Sequence, residues 1–73
     1  MKLYLISQDR NCGYDSYDSA VVAATTPEKA RLIIPGNDKD TWCKNEFDVT
    51  VTEIGTAARG TKAGVILASF NAG

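Results

Sequence analysis

Apolar and polar residues divide this chain into four strand-like runs and one short helical run. The predicted strands cover residues 2–8, 19–24, 47–54 and 64–70. The second and fourth runs are continuously apolar, which is typical of strands covered on both faces. Threonines alternate along the third run and predict a wetter strand. The order of elements is therefore β-β-α-β-β.

The helical run lies between the second and third strands. Thr26 is a predicted N-cap and Pro27 fits the first helical position. The pair at 35–36, proline then glycine, ends the run and leaves room for about two turns. The side chains expected to face the sheet are those of Ala30, Ile33 and Ile34.

This pattern predicts a single domain over residues 1–73, of the α+β class. We expect a two-layer domain with a mostly antiparallel four-stranded sheet and one short helix. Three of the strands carry apolar residues on both sides, yet one helix covers only one face. The second face is therefore expected to be buried by self-association, as a dimer or tetramer. The tail, 71–73, is expected to be ordered at its start.

A repeated Tyr-Asp-Ser over residues 14–19 precedes the second strand. If it is extended, Tyr17 shares a face with Val21 while Tyr14 shares the other face with Val22. Two interpretations stay open: a solvated hairpin arm with half-buried tyrosines, or a recognition loop. Trp42, in the polar segment 37–46, likewise either closes the core or offers a stacking surface at the rim of a site.

Charge and composition exclude several partners. The net charge is −1 without a basic excess, which argues against a nucleic acid polymer. The apolar runs are too short for a membrane span, and a strand-like run at the very start predicts a cytosolic chain without a signal peptide. Cys12 and Cys43 are then expected to be free thiols. With two cysteines and no histidine, no metal and no cofactor is predicted.

Catalytic signals are weak. Ser16 and Ser19 have aspartates nearby but no histidine to accept a proton. The glycine-rich string 55–62 ends in Thr-Lys where a P-loop requires Lys followed by Ser or Thr, and it joins two strands. Its backbone amides, with Arg59 and Lys62, still suit an anion, although an ordinary hairpin fits as well. We therefore predict no enzyme.

Binding of a small ligand is the function that remains. Aromatic walls with a few placed polar groups are typical of such sites. Tyr17 is the first choice for stacking on a base, because the buried strand holds it. The full set of predicted ligand-binding residues is Tyr14, Asp15, Tyr17, Ser19, Arg31, Trp42, Arg59 and Lys62.

The chain resembles small phage-encoded proteins in three blocks, residues 2–8, 13–24 and 64–73. It departs from many of them at Ile34, where they have a histidine before the proline. The resemblance implies expression in the cytoplasm of a bacterial host. It also implies membership of the oligomeric sponges that bind a cyclic-nucleotide or cyclic ADP-ribose signal and so disable CBASS or Thoeris-type defence. The alternative is a protein-binding inhibitor or adaptor that blocks a host complex by its surface.

Overall fold

A four-stranded antiparallel sheet in the order β3-β1-β2-β4 forms the body of the molecule. The computed structural model describes residues 1–71; the last two residues of the expected tail lie outside the described residues. The strands and the helix are β1 (Lys2–Ser7), β2 (Ser16–Ala24), α1 (Pro27–Arg31), β3 (Thr50–Thr56) and β4 (Gly64–Asn71). The predicted α+β class, element order and antiparallel sheet are confirmed.

The helix is shorter than predicted. It ends at Arg31 after five residues, and Leu32 is exposed beyond it. Pro35 disfavours helical backbone in the residue before it, and Ile34 is extended with φ −109° and ψ 112°. Ile33 and Ile34 still pack against the core from this non-helical segment.

Three short 3₁₀ turns fill the stretch between α1 and β3: Pro35–Asn37, Lys39–Thr41 and Glu46–Asp48. The third turn replaces the predicted start of β3. The side chain of Asn45 accepts a hydrogen bond from the Phe47 amide at 3.0 Å. This cap holds residues 46–48 in a turn, so the strand begins at Thr50 instead of Phe47.

The helix and the turns cover one side of the sheet, here called the covered face. Its strand residues include Tyr4, Ile6, Ala20 and Val22, all at most 3% exposed. Ala30 from α1 and Trp42 from the turn segment complete the same cluster. Both layers of the domain meet here.

The opposite side, here called the open face, carries no second layer within residues 1–71. One row across it is formed by Thr52, Leu5, Val21 and Leu67. Leu5 is 37% exposed and Leu67 is 70% exposed. A second row consists of hydroxyl side chains: Thr50, Ser7, Ser19 and Ser69.

Irregular pairing changes which side chains face the core. An extra residue, Asp18, shifts the register between Tyr17 and Ser19. Tyr17 therefore packs against the covered-face cluster and does not share the face of Val21, which corrects the sequence-based expectation. Two similar shifts leave Ile54 and Ile66 as the extra residues of β3 and β4.

Candidate functional site

A cleft of about 530 Å³ lies between the end of α1 and the turn segment 39–46. Three cationic side chains, Arg31, Lys39 and Lys44, are part of its lining, and Glu46 is the one carboxylate. Lys39 and Lys44 are exposed. The arrangement has an excess of positive charge and suits an anion.

A second cleft, of about 600 Å³, lies on the other side of the same segment. It shares Lys39, Lys44 and Trp42 with the first cleft. Here Arg10 lies 3.5 Å from the carboxylate of Asp48, and Asp40 adds a further negative charge. The cations of the second cleft are thus largely balanced, which leaves the first cleft as the better site for an anion.

Side-chain hydrogen bonds from distant parts of the chain hold the segment between the clefts. The amide Nδ2 of Asn11 donates to the carbonyls of Asp40 and Trp42, at 2.8 and 3.2 Å. Asn11 is itself positioned by Gln8, whose Oε1 accepts a hydrogen bond from the backbone N–H of Asn11 at 2.8 Å. The loop after β1 therefore fixes the backbone from which Lys39 and Lys44 project.

Arg31 has a structural bond as well as a place in the cleft. Its Nη1 donates to the carbonyls of Glu46 and Val49. These bonds tie the end of α1 to the turn before β3. The guanidinium has further N–H donors, so it contributes positive charge to the cleft while it holds the wall.

Trp42 belongs to the core. It is 2% exposed, so neither ring face offers a stacking surface. Of the two interpretations of Trp42, its position fits the one in which it closes the core. Its Nε1 is the buried side-chain donor without a hydrogen-bond partner among the described residues. A buried donor in this state is costly, by about 1–3 kcal/mol, and favours any acceptor that reaches it.

Cys43 lines both clefts and is buried. Burial raises the pKa of its thiol, and the carboxylate of Asp48 adds to that effect. The side chain donates to the carbonyl of Asn45 at 3.4 Å. Cys43 is therefore a neutral wall residue, whereas Cys12 is exposed in the loop after β1.

The predicted aromatic loop lies apart from these clefts, next to the end of β4. Tyr14 is 77% exposed and Asp15 has a positive φ of 60°, with its amide bonded to the carbonyl of Asn71. Tyr17 is half-buried, with its ring 4.8 Å from that of Phe70. A Cβ on Gly36 would lie 2.9 Å from Cε2 of Tyr17, so the ring is closely packed on that glycine.

The other predicted residues are also dispersed. Ser19 lies on the open face and its Oγ donates to Asp18 at 3.3 Å. Arg59 and Lys62 are exposed in the hairpin between β3 and β4. Of the eight residues named from the sequence, only Arg31 and Trp42 line one cleft together.

Three residues near this cleft were not selected from the sequence: Lys39, Lys44 and Phe47. The sequence pattern placed Phe47 in a strand, yet it lies on the turn Glu46–Asp48 and is 78% exposed. The signal was the pair of lysines that flank Trp42 in an otherwise polar segment. Their convergence depends on the turns, which the local sequence pattern does not display.

Comparisons with known proteins gave no match: no family model fits the chain, and no curated protein or solved structure is similar to it. Within residues 1–71, no helix has the length and apolar character needed to cross a membrane. No group of three or more potential metal ligands from cysteine, aspartate and glutamate occurs in the same part of the chain.

Proposed function

We propose that this protein binds a small phosphate-bearing signal of the cyclic-nucleotide or cyclic ADP-ribose class and holds it without cleaving it. The observation that carries the proposal is the cleft at the end of α1, where Arg31, Lys39 and Lys44 oppose a single carboxylate. Its volume of about 530 Å³ is in the range of small-molecule sites. The resemblance to phage sponges supplies the ligand class.

The two parts of such a ligand find different partners around the cleft. A phosphate needs cations, and Lys39 and Lys44 are exposed side chains that form no ion pair within residues 1–71. A base needs an aromatic surface, and we assign this role to Phe47, which is exposed and follows the lining residue Glu46 in the sequence. Stacking on such a ring contributes about 1–3 kcal/mol per base. Phe47 takes the stacking role that the sequence had suggested for Tyr17.

Binding without turnover follows from the side chains available. The chain has no histidine to act as a general base near neutral pH. The hydroxyl of Ser16 is buried and donates to the Gly13 carbonyl, and that of Ser19 donates to Asp18. Neither hydroxyl lines the cleft, so no activated nucleophile faces the proposed ligand.

The decisive experiment is calorimetric titration with a panel of cyclic dinucleotides and cyclic ADP-ribose isomers. Lys39→Ala/Lys44→Ala should weaken binding at least tenfold, because two charge-assisted contacts to phosphate are lost. The charge-matched control is Arg59→Ala/Lys62→Ala, which removes two cations from the β3–β4 hairpin. It should bind as the wild type does, since those residues lie outside the cleft.

Release after heat denaturation tests sequestration separately. A protein loaded with the ligand should return it intact, in an amount equal to the sites filled. Failure of the wild type to bind any member of the panel would reject the function. Binding that is lost in the hairpin variant, and kept in the cleft variant, would move the site to Arg59 and Lys62. Linearised product in excess of protein would show an enzyme.

Self-association and cellular location form part of the same proposal. The open face, with Leu5 and Leu67 exposed, is proposed to be buried between copies in a dimer or tetramer. Charged residues are depleted in the centre of interfaces, and neither row of this face contains one. The place of action is proposed to be the cytoplasm of a bacterial host, as the resemblance implies.

A second candidate function is supported by the same face. The exposed Leu5 and Leu67, with the half-buried Val21 between them, could instead contact a host protein, and the chain would then act as an inhibitor or adaptor. Affinity capture from host lysate distinguishes the two functions. A sponge retains no stoichiometric protein partner, whereas an inhibitor retains one and loses it in Leu67→Lys.

A further inference from the structure

The two edges of the sheet differ in how they are protected from pairing with another strand. β4, at one edge, runs from Gly64 to Asn71 without a charged residue or a proline. Ile66, Leu67 and Phe70 are 52%, 70% and 45% exposed. An edge of this kind has unpaired backbone groups and is a template for strand addition.

β3, at the other edge, carries features that oppose pairing. Glu53 is exposed on it, within 4.0 Å of the Lys2 ammonium group. An inserted residue, Ile54, interrupts its pairing with β1. Charged residues and inserted residues on an edge disfavour the addition of a second strand. On β4 the inserted residue Ile66 is the one such feature among the described residues, and residues 67–71 beyond it carry none.

We propose that β4 pairs antiparallel with β4 of a second copy, so that two four-stranded sheets join into one of eight strands. A two-fold axis closes such a pair, because each copy uses the same edge. Pairing of β4 with β3 of the next copy would not close in this way, and Glu53 disfavours it. We take the partner to be a second copy of this chain, because two β4 edges carry no charged residue and therefore do not repel each other.

The second half of β4 is the part suited to this contact. Ile66 is the extra residue of the strand, and residues 67–71 follow it without a further insertion in β4. Leu67 and Ser69 then lie on the open face, with Ala68 on the covered face. Five regular residues are enough for an isologous ladder, and Ser69 at its centre is a small residue that does not separate the strands.

The proposal does not rest on ligand binding, and it differs from burial of the open face. Packing through the open face covers side chains, whereas edge pairing covers backbone amides. Both contacts together would build a tetramer, and either one alone a dimer. Amide hydrogen exchange separates them without any ligand, so a failed titration leaves the edge proposal intact.

The experiment measures amide exchange of the wild-type chain at low and high micromolar concentration, together with its mass by light scattering. We expect those amides of residues 67–71 that point away from β2 to become protected at high concentration, while the amides of β3 exchange at an unchanged rate. Ile66→Lys should weaken self-association roughly tenfold or more, because Lys on an edge opposes pairing and the two copies would repel each other.

Ile54→Lys is the matched control. Ile54 is the extra residue of β3, as Ile66 is of β4, and their exposures are 51% and 52%. This variant should associate as the wild type does. A monomer at all concentrations overturns the proposal. So does a dimer whose β4 amides exchange as rapidly when concentrated as when dilute. Equal effects of the two lysines would show that charge alone, and not the β4 edge, controls association.

Discussion

Leu5 and Ile6 are neighbours on β1, yet they belong to opposite faces of the sheet. Ile6 is fully buried against the helical layer, whereas Leu5 is 37% exposed. The charged residues within the four strands are Lys2, Asp18 and Glu53, and the register places Lys2 and Glu53 on the side of Tyr4. A sheet face in contact with water usually carries polar or charged side chains. The two rows of the open face contain no charged side chain, although Leu5 and Leu67 on them are exposed, and this composition is that of the centre of an interface.

The largest expected effect is the contrast in stability between these two neighbours. Ile6→Ala should lower the free energy of unfolding by about 2–5 kcal/mol, because it leaves a cavity in a closed core. In the separate chain Leu5→Ala should lower it by less, about 1–2 kcal/mol, since the side chain is already partly hydrated. Urea denaturation of both variants at low and at high micromolar protein concentration measures the difference. Equal losses that grow with concentration would show that the open face is buried in solution.

A close contact on the covered side gives the next effect. Gly36 has φ 75°, and a Cβ there would meet the ring of Tyr17 at 2.9 Å. Gly36→Ala should cost about 2–4 kcal/mol, from left-handed strain plus displacement of that ring. Gly60 has φ 90° with open space around it, so Gly60→Ala carries the strain alone, about 1–2 kcal/mol. Thermal unfolding compares the two, and identical losses would refute the close packing of Tyr17.

The strands were predictable because each is either an apolar run or, for β3, an alternating run, and each is bounded by turn residues. The inserted residues were not: nothing in the period of 14–24 marks Asp18 as an extra position, so the face of Tyr17 was predicted wrongly. Ile54 and Ile66 lie inside runs that look regular. Insertion of a residue is decided by cross-strand pairing, which a single run does not encode.

The candidate cleft was less predictable than the sheet. Arg31 and Trp42 were named from the sequence, but Lys39 and Lys44 were not. Their positions depend on Asn11, whose side chain reaches backbone carbonyls 29 and 31 residues away. A local pattern identifies Asp38 and Asn45 as the caps of two of the turns, yet it contains no information on such a distant bond. The function of all these residues stays a prediction.

A smaller effect is expected at α1, the helix that packs on the covered face of the sheet. Thr26 has extended backbone and its Oγ1 accepts from the Lys29 amide at 3.2 Å. Thr26→Ala should cost about 1 kcal/mol through the lost cap. The preceding threonine is exposed and serves as control, since Thr25→Ala should change stability by less than about 0.5 kcal/mol. Equal losses in chemical denaturation would mean that the cap does not stabilise α1.

The smallest effect lies at the polar end of the open face. A hydrogen bond from the Ser69 hydroxyl, with a smaller one from Ser19, holds the pKa of Asp18 below its usual value. A lowered pKa stabilises the fold above the unfolded-state value, about 3.9, and that contribution is lost as pH falls through the folded-state value. Ser69→Ala should therefore raise the pKa of Asp18 toward the ordinary value and reduce the acid sensitivity of unfolding.

NMR titration of the Asp18 carboxyl measures this shift, with Ser7→Ala as the control from the same hydroxyl row. The control should leave the pKa of Asp18 unchanged, because Ser7 does not contribute to the shift. An Asp18 pKa that stays low in Ser69→Ala would refute the role of that hydroxyl. A second copy over this end of the face would desolvate the carboxylate and oppose the lowering. The pKa of Asp18 should then rise with protein concentration, which makes this carboxyl a reporter of whether the open face stays open.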